Sequence, residues 1–180
     1  GYLFFGIVFL MFLGFINFVS AFEFNGTVYD INGLPLNNSN VTVSIRDQNW
    51  NEVWIGSAIT NESGWFNITL PANQNYMYKV SVVHFNGSYL DYVGQSLPHF
   101  PYMEFLGVSN VKFYLRNGGT INITAINSTG DRIQFRYQVK DTKLGYPVAE
   151  NFQSTTYEAL VYVPADRNYS IMTVSYTHLR

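Results

Sequence analysis

Residues 56–82 read GSAITNESGWFNITLPANQNYMYKVSV, and this stretch decides the fold that the sequence predicts. Within it, Phe66, Ile68 and Leu70 alternate with polar residues, which is the period of a strand that has one buried face. A polar turn ending in glycine precedes that run, and Pro71 ends it because proline has no amide hydrogen for a central ladder. The stretch therefore predicts three consecutive strands separated by two chain reversals.

Alternation of the same kind extends outward in both directions. Val41, Val43 and Ile45 are separated by single polar residues, so we expect all three on the buried face of one strand. Turn residues recur about every eight to twelve positions, as they do in a two-sheet sandwich. No stretch after residue 21 has the spacing of an amphipathic helix, so the sequence predicts an all-β protein. Further strands are expected at residues 24–29, 56–60, 65–70, 76–83 and 110–115.

Asp30 opens a turn that ends at Gly33. A short acidic side chain can accept hydrogen bonds from nearby backbone amides, and glycine tolerates a positive φ. Asp30 and Asn32 also resemble the start of a calcium loop, but the later glutamate of such a loop is missing. We therefore interpret Asp30 as a residue that caps a turn.

Few residues of this chain carry a charge. Charged residues make up 12% of the sequence, hydrophobic residues 47% and aromatic residues 18%. The net charge of −2 and the scattered basic residues argue against a nucleic-acid partner, which requires clustered Lys and Arg. The chain has no cysteine, so it forms no disulfide and no thiolate metal site.

Residues 1–21 are predicted to be an export signal. Residues 2–16 are almost wholly apolar, and Val19 and Ala21 form a small-residue cleavage pattern that would leave Phe22 as the mature N-terminus. Fifteen helical residues span about 22 Å, which is less than a bilayer core of roughly 30 Å. An uncleaved signal anchor is the alternative, and the membrane would then be contacted through this segment only.

The two ends of the sequence suggest that it is not a natural full-length chain. It begins with Gly1 rather than Met, and the basic region expected before a signal core is missing, so we expect an incomplete N-terminus. The last residues, from Ser175 to Arg180, resemble translated adapter sequence.

The N-glycosylation acceptor pattern recurs along the chain and indicates an exposed, exported surface. Compositional bias towards Asn, Ser and Thr is the alternative explanation. Because the chain lacks cysteine, we expect an archaeal source rather than a eukaryotic one. The acceptor residues are Asn25, Asn37, Asn40, Asn61, Asn67, Asn86, Asn122, Asn127 and Asn168.

A similar pattern returns about 93 residues later, which predicts two copies of one module. Gly26-Thr27 corresponds to Gly119-Thr120, and residues 70–76 correspond to residues 163–169. The predicted domains are therefore a β-sandwich at 22–116 and a second, shorter one at 117–180 that we expect to lack its last strand. The alternative is that a proline, a polar turn and a tyrosine are common in any sandwich.

The first module resembles the carboxypeptidase regulatory-like (transthyretin-like) domain family over residues 24–116. The resemblance implies tandem Ig-like or transthyretin-like sandwiches with seven strands and no catalytic residues of their own. Such modules accompany peptidases, outer-membrane receptors, adhesins and surface-layer proteins. The resemblance rests on Gly26-Thr27-Val28, Gly33-Leu34-Pro35-Leu36, Thr60 with Gly64-Trp65-Phe66, Leu70-Pro71 and Tyr76.

Motifs of known enzyme and metal sites are missing from the sequence. His84, His99 and His178 lie far apart without zinc-site spacing, no G-x-S-x-G elbow is present, and the carboxylates are isolated. We therefore expect no catalytic residue, no metal, no cofactor and no enzymatic activity. An isopeptide cross-link would need a lysine, an Asn or Asp, and a buried acid, and Lys79 is expected to point outward.

The segment from His84 to Phe105 is rich in aromatic residues and is predicted to be a long loop. Tyr89, Tyr92, Phe100 and Tyr102 are its candidate ligand-binding residues, since aromatic rings with few charges suit sugar faces or a protein partner. The alternative is that the loop folds back and covers the edge of the sandwich.

These observations predict an exported, non-catalytic β-sandwich protein of the cell surface, with a structural or adhesive function. Two alternatives remain from the sequence: a carbohydrate-binding module that uses residues 84–105, and an accessory domain of a larger secreted peptidase. The expected partners are cell-surface proteins or polysaccharide.

Overall fold

The computed structural model describes residues 20–95 and 97–175, without the side chains of residues 153 and 154. The predicted export signal, apart from Ser20 and Ala21, lies outside the described residues, as does His178. The prediction of an all-β protein is confirmed for the part of the chain that is described.

Eight strands and one short helix form the first part of the chain. They are β1 (Ala21–Tyr29), β2 (Asn40–Arg46), β3 (Glu52–Ile59), β4 (Trp65–Pro71), β5 (Met77–Asn86), β6 (Tyr89–Val93), β7 (Phe100–Pro101), α1 (Tyr102–Phe105) and β8 (Val111–Tyr114). Five strands follow. They are β9 (Arg116–Thr124), β10 (Phe135–Asp141), β11 (Pro147–Thr156), β12 (Glu158–Pro164) and β13 (Tyr169–Ser175).

The first of two hydrophobic cores lies between a three-stranded sheet, β4-β1-β8, and the strands β3-β2-β5-β6. The alternation predicted for β2 and β4 is confirmed, because every second side chain of these strands is buried. The buried residues of the first core are Phe24, Val28, Val41, Val43, Ile45, Phe66, Ile68, Leu70, Tyr78, Val80, Val82, Phe105 and Leu115.

Gly26 allows β1 and β8 to lie side by side. These strands pair in parallel, with Gly26 opposite Val111. A Cβ atom at position 26 would lie 2.3 Å from the carbonyl oxygen of Val111, which is closer than any van der Waals contact allows. The predicted turn role of Asp30 is confirmed in the loop after β1, because its Oδ1 accepts the backbone amides of Asn32 and Leu34 at 2.8 Å.

The prediction of one long loop over residues 84–105 is wrong. β5 continues to Asn86, and the chain reverses at Gly87, which has a φ of 63°. The returning strand β6 pairs with β5 and buries Leu90 and Val93. The Asn86-Gly87 dipeptide is a strong hairpin signal, so this strand could have been found from the sequence.

The second core lies between the pair β9-β12 and the sheet β11-β10-β13. β9 also pairs with β6 through Asn117 and Arg116, so one seven-stranded sheet, in the order β12-β9-β6-β5-β2-β3 with β7 beside β5, runs past both cores. The buried residues of the second core are Ile123, Phe135, Val139, Val148, Ala159, Val161 and Val163.

The predicted match of Gly26-Thr27 with Gly119-Thr120 does not hold in the strand register. Gly26 lies opposite Phe66, and a uniform offset of 93 would place Gly119 opposite Ala159. The residue opposite Gly119 is instead Val163. Two glycines in similar strands therefore occupy different places in their ladders.

The two strand-ending prolines do have matching surroundings. The Tyr78 hydroxyl donates to the Pro71 carbonyl at 2.8 Å, and the Tyr169 hydroxyl donates to the Pro164 carbonyl at 2.9 Å. Burial raises the pKa of each tyrosine to about 12, so both remain donors at neutral pH. By this bond, Tyr78 and not Tyr76 is the counterpart of Tyr169.

The described residues contain no helix that is long and apolar enough to cross a lipid bilayer. The helix α1 has only four residues.

Replacing Leu70 by alanine tests the first core. Leu70 is fully buried, whereas Leu160 on β12 is 53% exposed. We expect Leu70→Ala to lower the free energy of unfolding by about 2–5 kcal/mol, because it leaves a cavity. Leu160→Ala is the matched control and should change it by less than about 0.5 kcal/mol. Equal losses in urea denaturation would contradict this assignment of the core.

Candidate functional site

The four aromatic residues predicted to bind a ligand do not form one surface. Tyr89 on β6 is 70% exposed. Tyr92 packs beside the ring of His84, with the centroids 6.1 Å apart. Phe100 and Tyr102 are half-buried against the first core. Tyr89 is therefore the member of the set that presents most of its ring to solvent.

The end of the aromatic segment covers the first core. The ring of Phe105 stacks on Tyr78 with a centroid distance of 5.0 Å and lies 4.8 Å from the centroid of Phe24. Tyr102 lies 6.0 Å from the ring of Phe22 on β1. These contacts account for the aromatic content of this part of the segment by packing.

The acceptor residues for N-glycosylation lie at the surface of the described chain. Asn25 and Asn40 are half-buried. The other seven are exposed: Asn37, Asn61, Asn67, Asn86, Asn122, Asn127 and Asn168. Their placement leaves glycosylation sterically open at those seven, and their modification stays a prediction.

A polar contact surface, here called the junction, forms where the outer faces of β2 and β5 meet β10 and β11. The Lys79 ammonium donates to the Val148 carbonyl at 3.1 Å, and Arg46 lies 3.8 Å from Glu150. Lys79 points away from the first core, as predicted, but it reaches the second group of strands rather than open solvent.

The pKa of Lys79 depends on its burial and on its charged neighbours. Removal from water lowers its pKa, an effect that Glu150 opposes and Arg46 reinforces. A lysine held this way stabilises the contact only while its ammonium keeps both its carbonyl partner and the neighbouring carboxylate.

His99 lies at the edge of the junction, and its side chain is partly buried. Burial, and then the positive charges of Lys79 and Arg46, lower the pKa of its imidazole to about 4. Its Nε2 is buried and has no hydrogen-bond partner among the described residues. The neutral ring packs edge-on against Trp50, with centroids 5.4 Å apart.

Trp50 occupies an unusual place in a turn that occurs four times among the described residues. In each turn the first residue is Asp or Asn, and its Oδ1 accepts the backbone amides of the residues two and four positions later, at 2.8–3.0 Å. The fourth residue of each turn donates its amide to the carbonyl of the first and has a positive φ. The four pairs of first and fourth residues are Asp30 and Gly33, Asn61 and Gly64, Asn127 and Gly130, and Asp47 and Trp50.

The conformation of Trp50 costs free energy. Three of the four turns place glycine at this position, whereas Trp50 has a φ of 64°. The left-handed region costs a residue with a Cβ about 1–2 kcal/mol. The four hydrogen bonds that Asp47 accepts with its carboxylate and carbonyl, from Asn49, Asn51 and Trp50, hold the turn in place.

Trp50 lines two clefts and is 47% exposed. The junction cleft, of about 270 Å³, is lined by Arg46, Trp50, Glu150, Asn151 and Phe152. The hairpin cleft, of about 220 Å³, is lined by Asp47, Gln48, Trp50, Gln74, Asn75, Tyr76, Met77 and Pro101. An aromatic ring is thus shared by two clefts that both apolar and polar side chains line, and the sequence analysis did not predict this arrangement.

Metal ligands do not converge in the described part of the chain. His84 pairs with Asp91 at 2.6 Å, and no group of three His, Asp or Glu side chains there could hold a metal ion. The structure therefore offers the clefts beside Trp50, rather than a metal centre, as the candidate site.

No protein-family model matches this chain, and no curated protein matches it. Resemblance to the carboxypeptidase regulatory-like family stays a prediction. Among solved structures, the chain is similar to the Bacillus anthracis TIE protein, with 17% identity, a TM-score of 0.33, and coverage of 86% of this chain and 28% of that one. The chain thus spans little more than a quarter of that protein.

Two pilins are also similar in structure. The shaft pilin SpaA of Lactobacillus rhamnosus GG is 10% identical, with a TM-score of 0.41 and coverage of 86% of this chain and 79% of that one. The Streptococcal ancillary pilin is 12% identical, with a TM-score of 0.37 and coverage of 91% and 61%. At these values the likeness supplies no argument about function.

The stability of the protein should fall as the pH is lowered from 7 to 5. The folded pKa of His99 lies below its ordinary value of 6.5, so the unfolded chain binds this proton more readily between those two pKa values. Thermal melts at several pH values should show a drop that is smaller in His99→Gln, whose side chain does not titrate. An identical drop in the variant would contradict the assignment.

Proposed function

We propose that this chain is an exported structural or adhesive component of a cell surface, built from tandem β-sandwich modules held in a fixed orientation. The modules are residues 22–116 and 117–180, and residues 1–21 direct export. Neither module catalyses a reaction in this proposal.

Matching strand pairings support the tandem arrangement. β1 pairs with β4, and β2 pairs with both β3 and β5, all antiparallel. In the same chain order, β9 pairs with β12, and β10 pairs with both β11 and β13, again antiparallel. Five consecutive strands thus repeat one pattern around each core.

The junction is the observation that carries the proposal. A flexible linker would leave two modules free to rotate, as is usual for small interdomain contacts. Here β6 and β9 pair directly, and the ammonium of Lys79 is bound by a carbonyl of β11. A fixed angle between modules suits a protein that holds other parts at a distance or transmits force.

The composition of the surface supports export. A chain with 12% charged residues must stay soluble through neutral polar groups, and seven exposed acceptor asparagines offer sites for glycans that would add to them. These features fit the outside of a cell, where the predicted signal would deliver the chain.

Lys79→Ala tests the fixed orientation. We expect the unmodified chain to melt in one transition by calorimetry, because the two cores unfold together. Removing the ammonium leaves the Val148 carbonyl with one partner fewer, at a cost of about 1–3 kcal/mol. The transition should broaden or split in two.

Lys112→Ala is the matched control, since Lys112 is exposed on β8. It should leave the transition single. Two separate transitions in the unmodified chain, or identical melts for the two variants, would contradict the proposal of coupled modules.

Export is tested by expressing the full sequence in a secreting host that performs N-glycosylation. The proposal predicts product outside the cell with Phe22 at its N-terminus, and no exported product when residues 2–16 are deleted. An exported product that keeps residues 1–21 would identify an anchor instead. Export that is unaffected by the deletion would contradict the proposal.

A further inference from the structure

We propose that Trp50 is the centre of a carbohydrate-binding site that takes a neutral oligosaccharide, with one sugar ring in each of the two clefts that Trp50 lines. This inference goes beyond the structural function, because it assigns a ligand to a place that the packing of the sandwiches does not require. The two clefts are lined by none of Tyr89, Tyr92, Phe100 and Tyr102, the binding residues predicted from the sequence.

Trp50 stands where the turn itself favours glycine. Gly33, Gly64 and Gly130 fill the same position of turns with the same hydrogen bonds. A bulky residue with a positive φ is an outlier, and such outliers collect at ligand sites. Besides its contact with His99, Trp50 is 47% exposed and lines both clefts, so part of its ring is open to a ligand.

The junction cleft matches the chemistry of a sugar. Trp50 and Phe152 supply aromatic surface, and the axial C–H groups of a pyranose carry the positive charge that the negative face of a ring attracts. Arg46, Glu150 and Asn151 supply donors and acceptors for hydroxyl groups. Arg46 and Glu150 lie 3.8 Å apart and balance each other, so a neutral ligand is favoured over a charged one.

The hairpin cleft, which Trp50 also lines, offers a second subsite. It is lined mainly by side chains with amide, carboxylate or hydroxyl groups, among them Gln48, Asn75 and Tyr76. The Gln48 amide donates to the Asn75 Oδ1 at 3.0 Å, which links the tip of the β2–β3 hairpin to the loop before β5. That hydrogen bond connects two of the segments that line the cleft.

The volumes of the two clefts and the orientation of the Trp50 ring also fit an oligosaccharide. Clefts of about 270 and 220 Å³ are each smaller than the ~300–1,000 Å³ typical for drug-sized ligands. Each would therefore hold about one ring of a chain that crosses Trp50. The His99 ring packs against Trp50 in an edge-to-face contact, and this contact restricts the orientation of the indole.

The test is isothermal titration of the full chain with cellohexaose, chitohexaose and β-1,4-mannohexaose, combined with thermal melts. We expect at least one of these sugars to bind and to change tryptophan fluorescence. Trp50→Gly should weaken binding at least tenfold while the melting temperature stays the same or rises, because glycine suits the turn. Phe152→Ala should weaken binding by a smaller factor, since it removes one wall of one cleft.

Trp65→Ala is the matched control, because Trp65 on β4 is 45% exposed and lies in neither cleft. It should leave binding unchanged. The proposal is overturned if none of the three sugars binds, if Trp50→Gly binds as well as the unmodified chain, or if Trp50→Gly lowers the melting temperature, which would give the ring a packing role. Retention of a decaproline peptide in place of the sugars would assign the clefts to a protein partner and would also overturn it.

Discussion

A lysine ammonium held between two groups of strands is the interaction on which the arrangement of this protein depends. Taking a positive charge out of water is costly, and the cost is offset only if the charge keeps its partners. Lys79 has the Val148 carbonyl at 3.1 Å, and Glu150 lies near enough to favour its charged form. The contact therefore tolerates one relative placement of β5 and β11, and the β6–β9 pairing agrees with it.

Short-range patterns were sufficient to predict six of the thirteen described strands. The alternation in β2 and β4 identified six buried residues, because a strand exposed on one face must place every second side chain in the core. The aromatic content of residues 84–105 predicts a loop, whereas the Asn86-Gly87 dipeptide is the signal for the hairpin that contains β6. The junction could not be foreseen, since Lys79 and Val148 are distant in sequence and neither carries a signal of the other.

Repeated elements in this sequence are misleading for strand register but informative for turns. Identical Gly-Thr pairs suggested one uniform offset, yet the ladders around Gly26 and Gly119 differ by four positions. Register is set by which faces are buried, and not by small residues. The same comparison applied to turns identifies Trp50, because Asp47 begins a four-residue pattern that elsewhere ends in glycine. That signal was present in the sequence.

The location of the indole has a mechanical consequence. Trp50 is carried by the β2–β3 hairpin and Phe152 by β11, so the two rings of the junction cleft stand on opposite sides of the junction. The distance between the two rings therefore depends on how closely the two groups of strands pack against each other. Tension that separates these groups of strands would widen the cleft before either core loosened.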